Sequence, residues 1–236
     1  MVDNSNILII SPTYNEIENI ETFIDSILAL NLNLLVIDDG SPDGTAKLIK
    51  KSPMYNTKIF LIERSHKMGL GSAYREGFSW FLKSKYSHCI EMDADFSHTF
   101  KDLKKILSKL LLGDIVIGSR YVKDGGSLGW DRRRKTLSKY ANIFARLILN
   151  SDINDLTSGF RSFNKRALTD IDFNSITTNG YGFQIEMAFN AEKADLSVIE
   201  VPIIFEERRL GQSKMNLQIT FEALILLFKL SIKRNN

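Results

Sequence analysis

The chain has 236 residues, of which 44% are hydrophobic and 25% are charged, and its formal net charge is +3. This composition is that of a folded globular protein, and it excludes a disordered or low-complexity chain. The single cysteine excludes an internal disulfide and favours a reducing compartment. No apolar run approaches the roughly 20 residues that a membrane-spanning helix needs, so we expect no spanning segment.

The first predicted strand is the apolar run at residues 7–10, and it leads into a polar turn that holds Tyr14 and Glu16. A helical pattern begins at Asn19. One interpretation of the turn is structural, because an acid in a first helical turn suits the helix dipole. The other places both residues in a nucleotide pocket, where Tyr14 stacks on a base and Glu16 accepts a hydrogen bond from the base edge or a ribose hydroxyl.

The second predicted strand, residues 34–37, runs directly into two adjacent acids, Asp38 and Asp39. The Pro-Asp-Gly turn that follows explains residues 42–45, but it does not explain the two acids. A carboxylate at the end of such a strand commonly binds ribose hydroxyls. Asp39 is the candidate for that contact, and Asp38 is interpreted as structural.

The third predicted strand, residues 58–62, is followed by a Gly-Leu-Gly sequence at 69–71 that opens a helix. Two glycines let a backbone approach closely, so the helix N-terminus could face a phosphate. A plain loop-to-helix transition is an equally good interpretation.

The fourth predicted strand ends in two acids, Asp93 and Asp95, that share one face if the chain stays extended, while Ala94 points away. Two close carboxylates repel each other unless a cation lies between them. Oxygen ligands without a nearby cysteine suit Mg²⁺ or Mn²⁺. The alternative is an Asp-rich turn in which Asp95 or Ser97 caps the next helix.

Cationic residues follow the next predicted strand, residues 114–119. Arg120 at its end could reach a phosphate, or it could form a salt bridge with Asp93 or Asp95. The basic run at 131–135 opens a helix, where the dipole disfavours positive charge, and this favours an anionic partner. Nucleic acid is excluded as that partner, because the basic residues are few and lack interleaved aromatic residues.

The chain is predicted to divide into residues 1–216, a catalytic domain, and residues 217–236, a C-terminal amphipathic helix. The loop at 206–214 carries cations and is a candidate lid over phosphates. The final helix either packs on the core, as part of the same domain, or lies at a membrane surface. Lys229, Lys233 and Arg234 favour the surface interpretation, because they would attract anionic headgroups.

Several motifs appear in a fixed order along the chain: PTYNE at 12–16, DDGSPDGT at 38–45, GLG at 69–71, MDADFSH at 92–98, GSRY at 118–121 and DLTSGFR at 155–161. In order and spacing the chain resembles the dolichol-phosphate (polyprenol-phosphate) mannosyltransferase group of the family-two GT-A glycosyltransferases. The resemblance implies an α/β fold of the GT-A, Rossmann-like type, with a mixed, mostly parallel sheet flanked by helices.

The resemblance also implies an enzyme, an inverting glycosyltransferase that moves mannose from GDP-mannose to a polyprenyl (dolichyl or undecaprenyl) monophosphate with Mg²⁺ or Mn²⁺. The product would be a β-linked polyprenyl-phosphate mannose. Two alternatives stay open: the same lipid-phosphate chemistry with UDP-glucose or another nucleotide sugar, and transfer to a sugar hydroxyl in polysaccharide synthesis.

The family positions carry over to this chain as site residues. The implied nucleotide-sugar-binding residues are Pro12, Tyr14, Glu16, Ile37, Asp39, Asp93, Ala94, Asp95, Arg120, Arg208 and Lys214. The implied acceptor-phosphate residues are Arg134 and Ser138. The implied metal ligands are Asp93, Asp95 and Ser97, where some relatives carry Gln at the last position. The implied catalytic residues are Asp93, Asp95, Arg120 and Arg134.

The acceptor's chemistry decides whether a general base is needed. A phosphate monoester is already anionic near pH 7, so it needs no strong base, whereas a sugar hydroxyl does. Asp155 is the candidate base in that alternative, and a structural acid that holds the 157–159 turn is its other interpretation. The partners implied by the resemblance are the donor, the lipid acceptor, a membrane surface and small membrane subunits, with the protein peripheral on the cytosolic face of a membrane.

Overall fold

The computed structural model describes residues 2–207 and 217–234. Its strands are β1 Ile7–Thr13, β2 Asn33–Asp38, β3 Ile59–Glu63, β4 His88–Glu91, β5 Ile115–Ser119, β6 Gly126–Leu128, β7 Arg161–Asn164, β8 Val198–Pro202 and β9 Ile204–Glu206. Its α-helices are α1 Ile20–Ala29, α2 Thr45–Lys50, α3 Leu70–Lys83, α4 Phe100–Leu107, α5 Arg132–Leu149, α6 Lys165–Ile171, α7 Gly180–Lys193 and α8 Leu217–Arg234. Short 3₁₀ turns lie at Asn4–Asn6 and Phe173–Ser175.

The described residues form a central seven-stranded sheet in the order β3-β2-β1-β4-β7-β5-β8 and a separate pair, β6-β9. The neighbours β1–β2, β2–β3, β1–β4 and β5–β8 are parallel. Only β7 runs antiparallel in the large sheet, between β4 and β5. The predicted mixed, mostly parallel sheet is therefore confirmed. The sequence pattern did not reveal β6 or β7, and it predicts one strand at residues 198–205 where the structure has β8 and β9.

The direction of β7 determines which loops meet. Since β1, β2, β4 and β5 are parallel, their carboxyl ends lie at one edge of the sheet. The antiparallel β7 begins at that same edge, so the 155–160 segment before it joins the loops that follow β4 and β5. Ligands of open α/β sheets bind at this edge.

Helices cover both faces of the sheet, which is why the parallel strands are apolar on both sides. Leu8 and Ile10 face one hydrophobic cluster, together with residues of α3, α5, α7 and α8. Ile7 and Ile9 face the second cluster, together with residues of α1 and α4. The alternation along β1 thus holds the sheet between two helical layers.

The last helix, α8, begins at Leu217, where the sequence predicts it, and extends to Arg234. Leu226, Leu227 and Leu230 are buried in the cluster shared with α5, whereas Phe228 is exposed. Among the helices of residues 2–207 and 217–234, none is both long and apolar enough to cross a membrane.

Candidate active site

The acids after β4 lie in a turn and not on the strand. β4 ends at Glu91, so the expectation that Asp93 and Asp95 share a strand face is wrong. The turn bends sharply at Phe96, whose φ of 61° lies in the left-handed region that bulky residues rarely adopt. Edge-to-face contact with Phe23, at 6.2 Å between ring centroids, helps to hold Phe96 there. Strained backbone of this kind persists only where the surrounding packing determines it, and it is concentrated at functional sites.

The turn presents an oxygen donor set. Asp93 is half-buried and Asp95 is buried, and Asp95 Oδ1 accepts a hydrogen bond from the Ser97 amide at 3.0 Å. The Ser97 hydroxyl is buried, and within the described chain it has no hydrogen-bond partner. A buried hydroxyl normally has a partner, so this orphaned oxygen fits a cation ligand. Thr99, and not Asp95 or Ser97, caps the following helix, α4.

These donors suit a cation that brings further oxygen ligands of its own. No cluster of three or more His, Cys, Asp or Glu side chains that could hold a metal occurs in the parts of the chain that the structure describes. Two carboxylates and one hydroxyl leave positions open for phosphate oxygens and water, which is how Mg²⁺ is usually bound at nucleotide sites. The residues therefore fit a divalent cation bound together with a nucleotide.

Arg120, at the end of β5, forms a salt bridge with Asp155 and not with Asp93 or Asp95. Its Nε and Nη2 donate to the two carboxylate oxygens of Asp155 at 2.8 Å each. Burial alone would raise the pKa of Asp155, but the Arg120 guanidinium lowers it below its usual value. Asp155 is fully buried and already bound, so the structure favours its structural interpretation over that of a general base.

Aromatic rings surround the same guanidinium. The Arg120 Cζ atom lies 5.3 Å from the Tyr121 ring centroid and 5.8 Å from those of Trp130 and Phe205. Burial would lower the pKa of Arg120, yet the Asp155 carboxylate raises it above its usual value. Arg120 is therefore a fixed, permanently charged group. Its Nη1 takes no part in the two hydrogen bonds to Asp155, and the side chain lines a pocket.

A pocket of about 390 Å³ opens beside Arg120. Its lining residues are Arg120, Tyr121, Val122, Gly125, Gly126, Ser127, Trp130, Lys135 and Lys139. The sequence indicated an anionic partner for the basic run but missed Lys139. The sequence did contain a signal for Lys139: it follows Lys135 by four residues, so both lysines lie on one face of α5.

The two predicted acceptor-phosphate residues lie next to this pocket and do not belong to its lining. Arg134 Nη1 donates to Glu207 Oε1 at 2.7 Å, and its guanidinium lies 4.2 Å from the Trp130 ring centroid. The Ser138 and Tyr121 hydroxyls are 2.7 Å apart. The Arg134 and Ser138 assignments stay predictions.

The predicted nucleotide residues after β1 lie at the same sheet edge. Tyr14 is exposed, and Lys67 Nζ lies 4.1 Å from its ring centroid. Glu16 Oε2 accepts a hydrogen bond from Asn19 at 2.8 Å. Pro12 is part of β1 and is half-buried. An exposed aromatic ring beside a cation leaves a face on which a base can stack.

The two acids after β2 have different partners. Asp38 accepts hydrogen bonds from Thr13, the last residue of β1, and from Ser41 in the loop after β2, in agreement with its structural interpretation. Asp39 accepts from Arg64 Nη1 at 2.8 Å and from the Gly69 amide at 3.1 Å. Through these hydrogen bonds Asp39 holds the loop at residues 64–69 in place. Its contact with a ribose stays a prediction.

Two further predicted residues have buried side chains. Ile37 is fully buried in the cluster that contains α3, so only its main chain could meet a nucleotide. Ala94 is buried in the second cluster, so its side chain faces the core and its contact with a nucleotide sugar stays a prediction. Arg208 and Lys214, predicted to contact the donor's phosphates, lie outside the described residues.

The Gly-Leu-Gly sequence contacts the protein itself. Gly69 has a φ of 91°, and a Cβ on Gly71 would lie 2.7 Å from the Thr178 carbonyl oxygen. The Ser72 amide in the first turn of α3 donates to Asn179 at 3.3 Å. Close backbone approach thus occurs, but to the 178–179 segment, which favours the plain loop-to-helix interpretation over phosphate binding.

A buried polar network that the sequence analysis missed lies beneath the acids. Gln184 Nε2 donates to Glu91 Oε2 at 3.0 Å, and the fully buried Arg161 donates to the Leu156 carbonyl at 2.8 Å. Burial raises the pKa of Glu91 to about 8 although Arg161 opposes the shift. The available signal was an acid inside an apolar strand, which is rare without a partner.

Residues 8–172 match the family described as Glycosyl transferase family 2. The chain is 42% identical over 213 residues to a polyprenol monophosphomannose synthase of Mycolicibacterium smegmatis, covering 89% of this chain and 80% of that protein. It is 38% identical over 221 residues to an undecaprenyl-phosphate mannosyltransferase of Micrococcus luteus, covering 93% of this chain and 91% of that protein.

Among solved structures, glucosyl-3-phosphoglycerate synthase from Mycobacterium tuberculosis, in complex with phosphoglyceric acid, matches with a TM-score of 0.68 and 19% identity. The match covers 95% of this chain and 79% of that one. The same synthase is also known in complex with Mn²⁺, uridine diphosphate and glucosyl-3-phosphoglycerate. The likeness in fold confirms the predicted GT-A architecture.

Proposed function

Because this chain belongs to glycosyl transferase family 2, we propose that it transfers mannose from GDP-mannose to a polyprenyl monophosphate. The reaction is an inverting hexosyl transfer that yields polyprenyl-phosphate β-mannose. Two relatives that align over most of the chain, at 42% and 38% identity, carry names that describe this product or acceptor.

One observation carries the proposal: an acid turn suited to a cation and a cationic pocket suited to a phosphate lie at one edge of the sheet. The acid turn follows β4 and the pocket follows β5, with only β7 between these strands. Neighbouring strands are separated by about 4.8 Å, so the two strand ends are roughly 10 Å apart. A sugar held between them would meet its leaving group on one side and an anionic nucleophile on the other.

The donor side must stabilise a departing diphosphate. Asp93, Asp95 and the Ser97 hydroxyl are the proposed ligands of Mg²⁺ or Mn²⁺, which when bound would neutralise charge on the diphosphate as a Lewis acid. Arg120 adds a fixed positive charge that needs no reorganisation during the reaction. Arg208 and Lys214 are proposed to contact the same phosphates.

The remainder of the donor would bind toward β1 and β2. Tyr14 would stack on the base, while Glu16 and Asp39 would accept hydrogen bonds from the base edge and the ribose. Pro12, Ile37 and Ala94 would contact the nucleotide sugar through main-chain or van der Waals contacts.

The acceptor phosphate attacks the anomeric carbon from the face opposite the diphosphate. It is anionic near pH 7, because its second pKa is about 6, so no side chain must remove a proton. Asp155, the only candidate base that the sequence offered, is bound to Arg120. Arg134, Ser138, Lys135 and Lys139 would hold the acceptor phosphate.

The polyprenyl acceptor is a membrane lipid, so we place the protein at the cytosolic face of a membrane, where GDP-mannose is available to it. Small membrane subunits are proposed as partners that hold it there. The names of the two relatives mention polyprenol and undecaprenyl phosphate, which supports contact with a membrane.

Radiolabelled GDP-mannose, incubated with a short-chain polyprenyl phosphate and either Mg²⁺ or Mn²⁺, tests the proposal. We expect label in the organic phase only when the metal and the lipid phosphate are both present. Asp93→Asn should abolish the transfer, whereas Asp25→Asn, an exposed acid on α1, should not change it. Label transferred from UDP-glucose alone, or to a sugar hydroxyl, would replace the proposal by one of its alternatives, and no transfer with either metal would refute it.

A further inference from the structure

The last residue of the MDADFSH sequence, His98, has no role in the proposed reaction. We propose that His98 is a positioning residue that holds the acid turn and the wall of the cationic pocket in place relative to each other. Its Nδ1 atom orients Asp93, and its ring supports the aromatic residues beside Arg120. This role rests on the proposed function for the identity of the cation and the acceptor, and it goes beyond that function by joining their two sites through one side chain.

His98 lies beneath the acid turn, where only 3% of its surface is exposed. It follows the bend at Phe96 and directly precedes Thr99, the residue that caps α4. A polar ring buried this deeply is normally held by specific partners. The His98 ring therefore acts only through the groups that surround it inside the protein.

One ring nitrogen contacts the backbone of a proposed metal ligand. The Asp93 amide donates a hydrogen bond to His98 Nδ1 at 3.3 Å, between residues five positions apart. This bond closes the turn around Phe96, whose left-handed backbone is unfavourable by itself. Because the amide belongs to Asp93, the bond restricts where the Asp93 carboxylate can point. Groups that orient a metal ligand from behind in this way strengthen the binding of the metal.

The ring of His98 packs against two phenylalanines from other parts of the chain. It stacks on Phe160, with 4.5 Å between the ring centroids and 12° between the planes. Phe205 of β9 meets it edge-to-face at 5.6 Å. Phe160 belongs to the 155–160 segment that precedes β7. His98 therefore joins the acid turn to β9 and to this segment.

Phe205 in turn contacts residues of the cationic pocket. Its ring centroid lies 5.5 Å from that of Trp130, edge-to-face, and 5.8 Å from the Arg120 Cζ atom. Trp130 lines the pocket, and the Arg134 guanidinium lies 4.2 Å from its ring centroid. A row of rings from His98 through Phe205 to Trp130 therefore connects the acid turn with the proposed acceptor-phosphate site.

The backbone makes the same connection. The Glu206 amide of β9 donates to the Ser97 carbonyl oxygen at 3.1 Å. β9 pairs with β6, whose residues Gly126 and Ser127 line the pocket. Because the acid turn and the pocket wall share this strand, a shift of the turn would move the wall. The His98 ring, packed against Phe205 of the same strand, opposes such a shift.

Two substitutions separate the two contacts of His98, because histidine combines a ring with an acceptor at Nδ1. His98→Phe keeps a ring against Phe160 and Phe205 but removes the acceptor of the Asp93 amide. His98→Asn keeps an acceptor oxygen close to the Nδ1 position but removes the ring. The first substitution should therefore affect the cation, and the second should affect the acceptor.

Binding of Mn²⁺ to the full chain tests the contact with Asp93 without any acceptor. Free Mn²⁺ is followed by electron paramagnetic resonance, in parallel samples that contain GDP or UDP. In His98→Phe we expect the Kd for Mn²⁺ to rise about tenfold or more, because the turn loses a bond that orients a ligand. In His98→Asn the Kd should stay within about threefold of the original value, since an acceptor oxygen replaces Nδ1.

The apparent KM for a short-chain polyprenyl phosphate, measured at saturating Mn²⁺, tests the ring contact. His98→Asn should raise this KM about fivefold or more, because the pocket wall loses the ring that positions it. His98→Phe should leave the KM within about twofold, because its ring keeps the contact with Phe205. Phe205→Leu tests the same contact from its other end and keeps His98: it should raise the KM and leave the Kd for Mn²⁺ unchanged.

His88 provides the matched control, because it lies at the start of β4, at the opposite end of that strand from the acid turn. His88→Phe and His88→Asn should keep both the Kd for Mn²⁺ and the KM of the unaltered protein. The melting temperature of every variant is measured alongside. A histidine with a merely structural role would lower the melting temperature without separating the Kd from the KM.

Two results would overturn the positioning role. They are an unchanged Kd for Mn²⁺ in His98→Phe, and equal effects of both His98 substitutions on the Kd and on the KM, which would indicate a general loss of packing. An unaltered protein that binds Mn²⁺ with a nucleotide but transfers no mannose to a lipid phosphate would instead refute the proposed function. In that case the weaker Mn²⁺ binding of His98→Phe would still support the contact between His98 and the acid turn.

Discussion

At the scale of single residues, the site contains two kinds of acid that look alike in the sequence. Asp155 is fully buried and both of its oxygens bind Arg120, while Asp93 is half-buried at the turn after β4. Burial makes an acid dependent on its cationic partner, because an uncompensated buried charge is costly. Replacing Asp155 should therefore lower the stability of the protein, whereas replacing Asp93 should remove its activity with little effect on stability.

Asp155→Asn should lower the free energy of unfolding by about 3–5 kcal/mol, because the buried guanidinium of Arg120 would lose its carboxylate partner. Chemical denaturation of the metal-free protein measures this loss. The comparison variant, Asp93→Asn, should change the unfolding free energy by less than about 1 kcal/mol while it abolishes transfer. An Asp155→Asn protein that keeps full stability and loses only turnover would restore Asp155 as a general base.

The Ser97 hydroxyl offers a second test at this scale, since it has no partner within the described chain. Ser97→Ala should leave the stability of the metal-free protein within about 0.5 kcal/mol of the original value. The metal concentration for half-maximal transfer should rise several-fold, because a ligand oxygen has been removed. An activity titration with Mn²⁺ checks this.

Ser158→Ala is the matched control, because its buried hydroxyl already donates to the Gly118 carbonyl at 2.6 Å. This variant should lose about 1 kcal/mol of stability and keep the same metal requirement. If Ser97→Ala behaved like Ser158→Ala, a ligand role for Ser97 would be excluded.

At the scale of elements, β7 and the start of α3 determine how the loops meet. The antiparallel β7 inserts between β4 and β5 and brings the 155–160 segment to the site. The start of α3 is fixed from the other side, where the 178–179 segment before α7 rests on Gly71. These contacts join segments that are far apart in the chain, and they hold the edge of the sheet in one arrangement.

Gly71→Ala should destabilise the protein by about 1–3 kcal/mol, because its Cβ would lie 2.7 Å from the Thr178 carbonyl oxygen and force the backbone apart. Thermal unfolding measures the effect. Gly159→Ala is the control: its Cβ would have 3.8 Å to the nearest atom, Gln184 Nε2, so its melting temperature should be nearly unchanged. Equal melting temperatures for both variants would show that the α3 start tolerates displacement.

At the scale of the whole molecule, the network below the acids links pH to global stability. Burial raises the pKa of Glu91 to about 8 in the folded protein, whereas an unfolded chain has the ordinary value of 4.5. Between these two values the folded state holds a proton that the unfolded state has released. The contribution of Glu91 is fully present below pH 4.5 and is lost as the pH rises to about 8.

Urea denaturation of the metal-free protein between pH 5 and pH 8.5 tests this link. The free energy of unfolding should fall as the pH rises, and the part due to Glu91 should be at most about 1.4 kcal/mol per pH unit. Glu91→Gln cannot titrate, so the slope of the difference between the two proteins isolates this carboxyl. Parallel curves for the two proteins would contradict a raised pKa at Glu91.

The sequence by itself determined the family, the enzyme class and the GT-A architecture, all of which are confirmed. The resemblance that implies them rests on the order and spacing of short motifs, and each motif lies within a few residues of chain. The pattern also located the acid turn after β4 and the basic start of α5, since both are contiguous in sequence.

Only the tertiary structure decided how distant residues pair. It pairs Arg120 with Asp155 in a salt bridge, although the two residues are 35 positions apart in the chain. It also places the antiparallel β7 between β4 and β5. It also determined the burial of Glu91 beside Gln184. Pairing and burial of this kind depend on which surfaces meet after the sheet has assembled, and no local pattern encodes that choice.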